Sequence, residues 1–64
     1  MAIFDVGDKV RVSQDSTTSY RGKVGTVETY LEEAVGVMCQ VRFDDVADLP
    51  PVEWFPEEML DPAD

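Results

Sequence analysis

Two valines three residues apart, Val24 and Val27, bracket Gly25-Thr26 in the middle of a chain that otherwise alternates like β structure. A regular strand sends successive side chains to opposite faces, so positions three apart cannot both point inward. A β-bulge at Gly25-Thr26 would put Val24 and Val27 on one face, and glycine inside a strand is a frequent mark of a bulge or a sharp bend. Gly22, just upstream, suits the preceding turn, where a positive φ is tolerated chiefly by glycine. Residues 20–28 are therefore expected to form a bent strand, and a short bent strand is what a chain of 64 residues needs to wrap a core.

Alternation extends to both sides. In Val6-Gly7-Asp8-Lys9-Val10-Arg11-Val12 the three valines fall on one face and Lys9 and Arg11 on the other. Gly7-Asp8 suits a turn into that strand, and Ile3 and Phe4 are apolar enough to tuck beneath the sheet. Residues 13–19, all polar, form a surface loop. Thr29-Tyr30-Leu31 continues the bent strand, residues 32–36 turn the chain back, and Val37, Cys39, Val41 and Phe43 form the next inward row. Met38, Gln40 and Arg42 face out. Residues 44–51, with paired prolines, form a loop; Val52-Glu53-Trp54-Phe55 is a short strand. Its alternation alone allows either Val52/Trp54 or Glu53/Phe55 as the inward pair. Pro56-Glu57-Glu58 opens a 3-10 turn, with proline first and acids next to it, before Met59 and Leu60 return to the core. The whole chain, 1–64, is expected to be one all-β domain of five short strands.

Chemistry is constrained mainly by what the chain lacks. There is no histidine, which removes the usual general base and the commonest metal ligand. The single cysteine, Cys39, excludes an internal disulfide and reads as a small buried apolar residue. Asp44, Asp45 and Asp48 do not follow the spacing of a twelve-residue calcium loop. No catalytic, metal-binding or cofactor-binding residue is assigned, and an enzyme is disfavoured. No run approaches the roughly 20 apolar residues of a membrane span, and the first residues lack the pattern of a signal peptide, so a cytosol or an organelle stroma is the expected compartment.

Charge is unevenly distributed within a net −9. The first 32 residues set five acids against four bases; the last 32 set nine acids against Arg42 alone. Such a surface repels phosphate backbones and disfavours generic nucleic-acid binding. The five basic residues are Lys9, Arg11, Arg21, Lys23 and Arg42, and they are the expected partner-binding positions together with Trp54. Tryptophan is enriched at interface hot spots, although it can equally lie flat over one end of a small sheet.

Val6-Gly7-Asp8-Lys9-Val10-Arg11-Val12 followed by Gly22-Lys23-Val24-Gly25-Thr26-Val27 resembles the KOW-type SH3-like barrel. With Val41-Arg42-Phe43-Asp44 and Phe55-Pro56-Glu57-Glu58-Met59-Leu60 the chain is similar to the photosystem I stromal peripheral subunit and the variable chain of ferredoxin–thioredoxin reductase. The resemblance implies a five-stranded barrel, an inward Phe55, an outward Trp54 and a non-catalytic role in docking onto or stabilising a larger protein complex. It also implies a narrower role, a ferredoxin-linked accessory subunit of a photosynthetic redox complex. KOW barrels in general imply a third, contact with RNA or the ribosome.

Overall fold

The computed structural model describes residues 3–44 and 46–63. Five antiparallel strands follow in chain order: β1 (Lys9–Val12), β2 (Val24–Glu33), β3 (Gly36–Phe43), β4 (Val52–Pro56) and β5 (Leu60–Pro62), with a 3-10 turn at Glu57–Met59 between the last two. The sheet order is β4-β3-β2-β1-β5. The expected all-β architecture, with its 3-10 turn before the final strand, is thus present.

The connection between β4 and β5 dictates the sheet's shape. They occupy opposite edges, which four strand spacings of about 4.8 Å would separate by roughly 19 Å in a flat sheet. Only three residues of 3-10 turn, rising about 2 Å each, join them. The sheet must therefore curl until its edges approach. It curls without closing, because β4 and β5 share no ladder among the described residues.

Inside the curl lie Phe4, Val10, Val12, Tyr20, Val27, Val37, Cys39, Val41, Phe43, Phe55 and Leu60, and among the described residues no polar or charged one joins them except through the tyrosine hydroxyl. Tyr20 meets Phe43 at 4.8 Å between ring centroids and Phe55 at 5.5 Å, and Phe43 meets Phe55 edge-on at 5.8 Å. These are the offset and edge-to-face geometries that the aromatic quadrupole favours. The Tyr20 hydroxyl donates to the Pro50 carbonyl at 2.6 Å, pinning the 44–51 loop to the core. Burial raises the Tyr20 pKa above its ordinary value of 10.0, and the nearby Glu53 carboxylate adds to the rise. Because the folded state favours the protonated phenol, its contribution is complete below pH 10 and is lost as pH climbs through the folded pKa. Tyr20→Phe should lower stability at neutral pH by removing the hydrogen bond to Pro50 and should flatten the alkaline decline in stability, as read by urea titrations between neutral pH and the alkaline limit; an unchanged alkaline slope would remove Tyr20 as its source.

Burial also raises the Cys39 thiol, with Glu57 contributing, so this group is held as an unreactive thiol inside the inward row. The alternation of Val37, Cys39, Val41 and Phe43 is as expected from sequence.

Three expected core positions lie outside the core. Val6 is 60% exposed, because β1 begins only at Lys9 and Val6 belongs to a turn in which the Asp8 amide donates to the Asp5 carbonyl at 3.0 Å. Gly7 carries that turn at φ 96°, the residue and position a type II turn requires. Ile3 is exposed, while its neighbour Phe4 does enter the core. Val24 also faces out: it pairs with Arg11, an outward position of β1.

The bulge exists, but it falls at Glu28 rather than at Gly25-Thr26, where the β2–β3 register shifts between Val27 and Thr29. Up to Val27 the strand alternates normally, so Gly25 points inward beside Val27. A Cβ there would stand 2.6 Å from the Arg42 carbonyl oxygen, 2.6 Å from Val41 Cγ1 and 3.0 Å from Phe43 Cδ1. Gly25 is glycine because β3, its ladder neighbour, comes too close at Val41–Phe43 to admit a Cβ. Gly22, as expected, takes a positive φ, 78°, in the turn before β2.

Candidate interaction face

The register lines up one side of the sheet in cross-strand rows. Lys9 on β1 pairs with Thr26 on β2, Thr26 with Arg42 on β3, and Arg42 with Val52 on β4. Residues directly opposite in antiparallel strands project to the same face, so Lys9 and Arg42 flank Thr26 about 10 Å apart, two strand spacings. The next row on one side joins Arg11 to Val24 and, across β5, to Asp61. On the other side Thr29, Gln40 and Trp54 align, followed by Leu31, Met38 and Pro56. The result is a face that is basic over β1 and β3 and apolar toward β4.

Glu28 helps to shape that face. As the bulged residue, it reaches Arg42, whose Nε and Nη2 donate to Glu28 Oε1 at 2.8 and 2.7 Å. Both side chains are substantially exposed, so the pair contributes only about 0.2–1 kcal/mol to stability. Its larger effect is geometric, because it holds the guanidinium over the sheet.

Trp54 sits opposite Gln40 and is half-buried, and Phe55 opposite Cys39 is buried, so the inward pair is Glu53/Phe55 by register. Glu53 lies at the solvent end of that inward side, where its carboxylate accepts the Trp54 amide at 3.0 Å. Edge strand β4 thereby has one of its outward donors covered by its own neighbour, and Pro56, on the same side, has none to offer.

Of the six sequence-derived positions, Lys9, Arg11, Arg42 and Trp54 share this face. Lys23 does not. It stands opposite Val12, whose amide donates to the Lys23 carbonyl at 2.9 Å, and it lines open concavities with Val46, Ala47, Asp48 and Leu49 at the loop side of the sheet. Arg21 is exposed in a turn closed by its own amide on the Thr18 carbonyl at 3.2 Å. Alternation could not place these two, since they precede β2 and their orientation depends on the loop. The part played by Glu28 was also hidden, because the three-residue spacing of Val24 and Val27 reflects an outward Val24 in a regular stretch and not the bulge at Glu28.

The chemistry available here is recognition by charge and apolar contact. Among the described residues, no group of three or more His, Cys, Asp or Glu side chains is disposed to hold a metal ion. No helix is long and apolar enough to cross a membrane. No family model, curated protein or solved structure matches the chain.

Proposed function

We propose that this small antiparallel β-domain is a non-catalytic interaction module that docks onto, or stabilises, a larger protein complex through the face carrying Lys9, Arg11, Arg42 and Trp54. The observation that carries the reading is the cross-strand row Lys9–Thr26–Arg42–Val52, with Arg11 and Trp54 in the rows on either side of it, which together gather three of the five basic side chains of a −9 chain beside a half-buried tryptophan. A charge pattern of this kind steers an acidic partner, while tryptophan and arginine supply the anchoring area. A narrower reading, favoured by the same row, is an accessory subunit that receives an acidic iron–sulfur carrier such as ferredoxin.

Charge reversal at Lys9 and Arg11 tests the module. In low-salt capture from the source organism's lysate, the native chain should retain a partner that Lys9→Glu/Arg11→Glu loses, with retention falling as salt rises. Equal retention by both chains would overturn the proposal. Titration with ferredoxin separates the narrower reading, and structured RNA in the same assay is the contrasting outcome.

A further inference from the structure

β2 is longer than the strands beside it. β1 covers only Val24, Gly25 and Thr26 of its edge, and the Asp5–Asp8 turn adds Val27, whose carbonyl accepts the Gly7 amide at 2.8 Å and whose amide donates to Asp8 at 2.9 Å. Residues 28–33 remain paired to β3 on one side, and no strand ladders with their other side among the described residues. All six are exposed, including Tyr30 at 36% and Leu31 at 53%.

The direction of the main-chain groups follows from the neighbouring strand. The Phe43 amide donates to the Pro51 carbonyl at 2.7 Å, so the main chains of Phe43, Val41 and Cys39 face β4, and those of Gln40 and Met38 face β2. Thr29 and Leu31, their partners, then face β3, which turns the Tyr30 N–H and C=O toward the open edge. An exposed donor–acceptor pair in an extended strand is the template for strand addition.

We infer that this edge of β2 binds an extended basic segment of a partner protein by adding it as a sixth strand. The charges select the occupant. Glu32 and Glu33 adjoin the apolar pair Tyr30 and Leu31, while Glu28 at the other end already holds Arg42, so on a −9 chain cross-strand complementarity calls for lysine or arginine beside β-branched residues. A second copy of this chain is a poor occupant, because it would set glutamates against glutamates and bring two −9 molecules together. The main-chain edge is distinct from the Lys9, Arg11 and Arg42 side chains, although Glu28 and Leu31 border both, so substitution of Lys9 and Arg11 separates the two.

The probe is the acetylated, amidated peptide Lys-Lys-Val-Val-Lys-Lys, with a control bearing N-methyl groups on both valine amides. Amide chemical-shift mapping should show perturbation at residues 28–33, with the N-methylated control binding at least about tenfold more weakly because it cannot complete the ladder. Tyr30→Pro, which removes an edge-facing donor and no β2–β3 bond, should lose binding while keeping a dispersed amide spectrum, and Tyr30→Phe should retain it. Lys9→Gln/Arg11→Gln should bind the peptide like the native chain. Equal binding of the two peptides, perturbation spread over the acidic carboxyl-terminal residues, or undiminished binding by Tyr30→Pro would overturn the inference.

Discussion

Gly25→Ala should be among the most destabilising single-methyl additions available in this chain. The added Cβ would meet the Arg42 carbonyl oxygen and Val41 Cγ1 at 2.6 Å each, and Phe43 Cδ1 at 3.0 Å. One of those neighbours is main chain and cannot swing aside, so relief requires β3 to move away from β2. That movement would loosen the strand pair with the most extensive register in the sheet. Overpacking of this kind costs about 1–3 kcal/mol, and a main-chain clash belongs at the upper end. In a domain of this size each kcal/mol lowers the thermal midpoint by about 4–8 °C, so a fall of roughly 10–20 °C is expected in calorimetry. Thr26→Ala, one residue along on the outward side, should stay within about 0.5 kcal/mol of the native chain. A Gly25→Ala midpoint equal to that of Thr26→Ala would contradict the close approach of β3.

Phe55→Ala should have an effect at least as large, and Trp54→Ala, its neighbour, should have a different one. Phe55 is 3% exposed and touches both other members of the aromatic cluster. Truncating a buried phenylalanine costs about 3–5 kcal/mol. A chain of this length has few kcal/mol to lose, at about 0.05–0.15 per residue, so the variant should be substantially unfolded at room temperature in far-ultraviolet dichroism and amide spectra. Trp54 projects from the opposite side of the same strand and is half-buried. Its truncation should leave a folded domain that has lost partner capture. If Trp54→Ala unfolded the chain while Phe55→Ala did not, the assignment of the two faces of β4 would be reversed.

That assignment illustrates how far the amino-acid sequence can be read. Alternation identified both Val37-Cys39-Val41-Phe43 and Lys9/Arg11 correctly, because an eight-residue strand and a clean polar–apolar alternation leave one phase that buries the apolar set. Within β4 the pattern was ambiguous, since valine, tryptophan and phenylalanine occupy both phases of a five-residue strand; register against Cys39 and Gln40 resolves it. At Val24 local pattern misleads. The valine is where a core residue would be expected, yet the inward position belongs to Gly25, and only the path of a strand 16 or more residues later explains why. Val6 was lost to a turn for a related reason, as the Asp5–Asp8 hydrogen bond ends the extended chain before it.

The interaction face shows the same division. That Lys9 and Arg11 project together follows from period 2 alone, whereas their placement beside Arg42 needs β2 to lie between β1 and β3 with Thr26 in register with both. Glu28 could not be anticipated as the partner of Arg42 until the bulge was located. Charge composition pointed to five basic residues, and topology divides them into three on the face, one beside the Val46–Leu49 side and one in the turn before β2.

The most direct test of the central claim is amide chemical-shift mapping of the labelled domain with its co-purified partner at low salt. Perturbation concentrated at Lys9, Arg11, Thr26, Arg42 and the Trp54 indole, and abolished by Lys9→Glu/Arg11→Glu, is the predicted result. A partner that perturbs only residues 13–19 or 57–63, leaving those five positions silent, would contradict it.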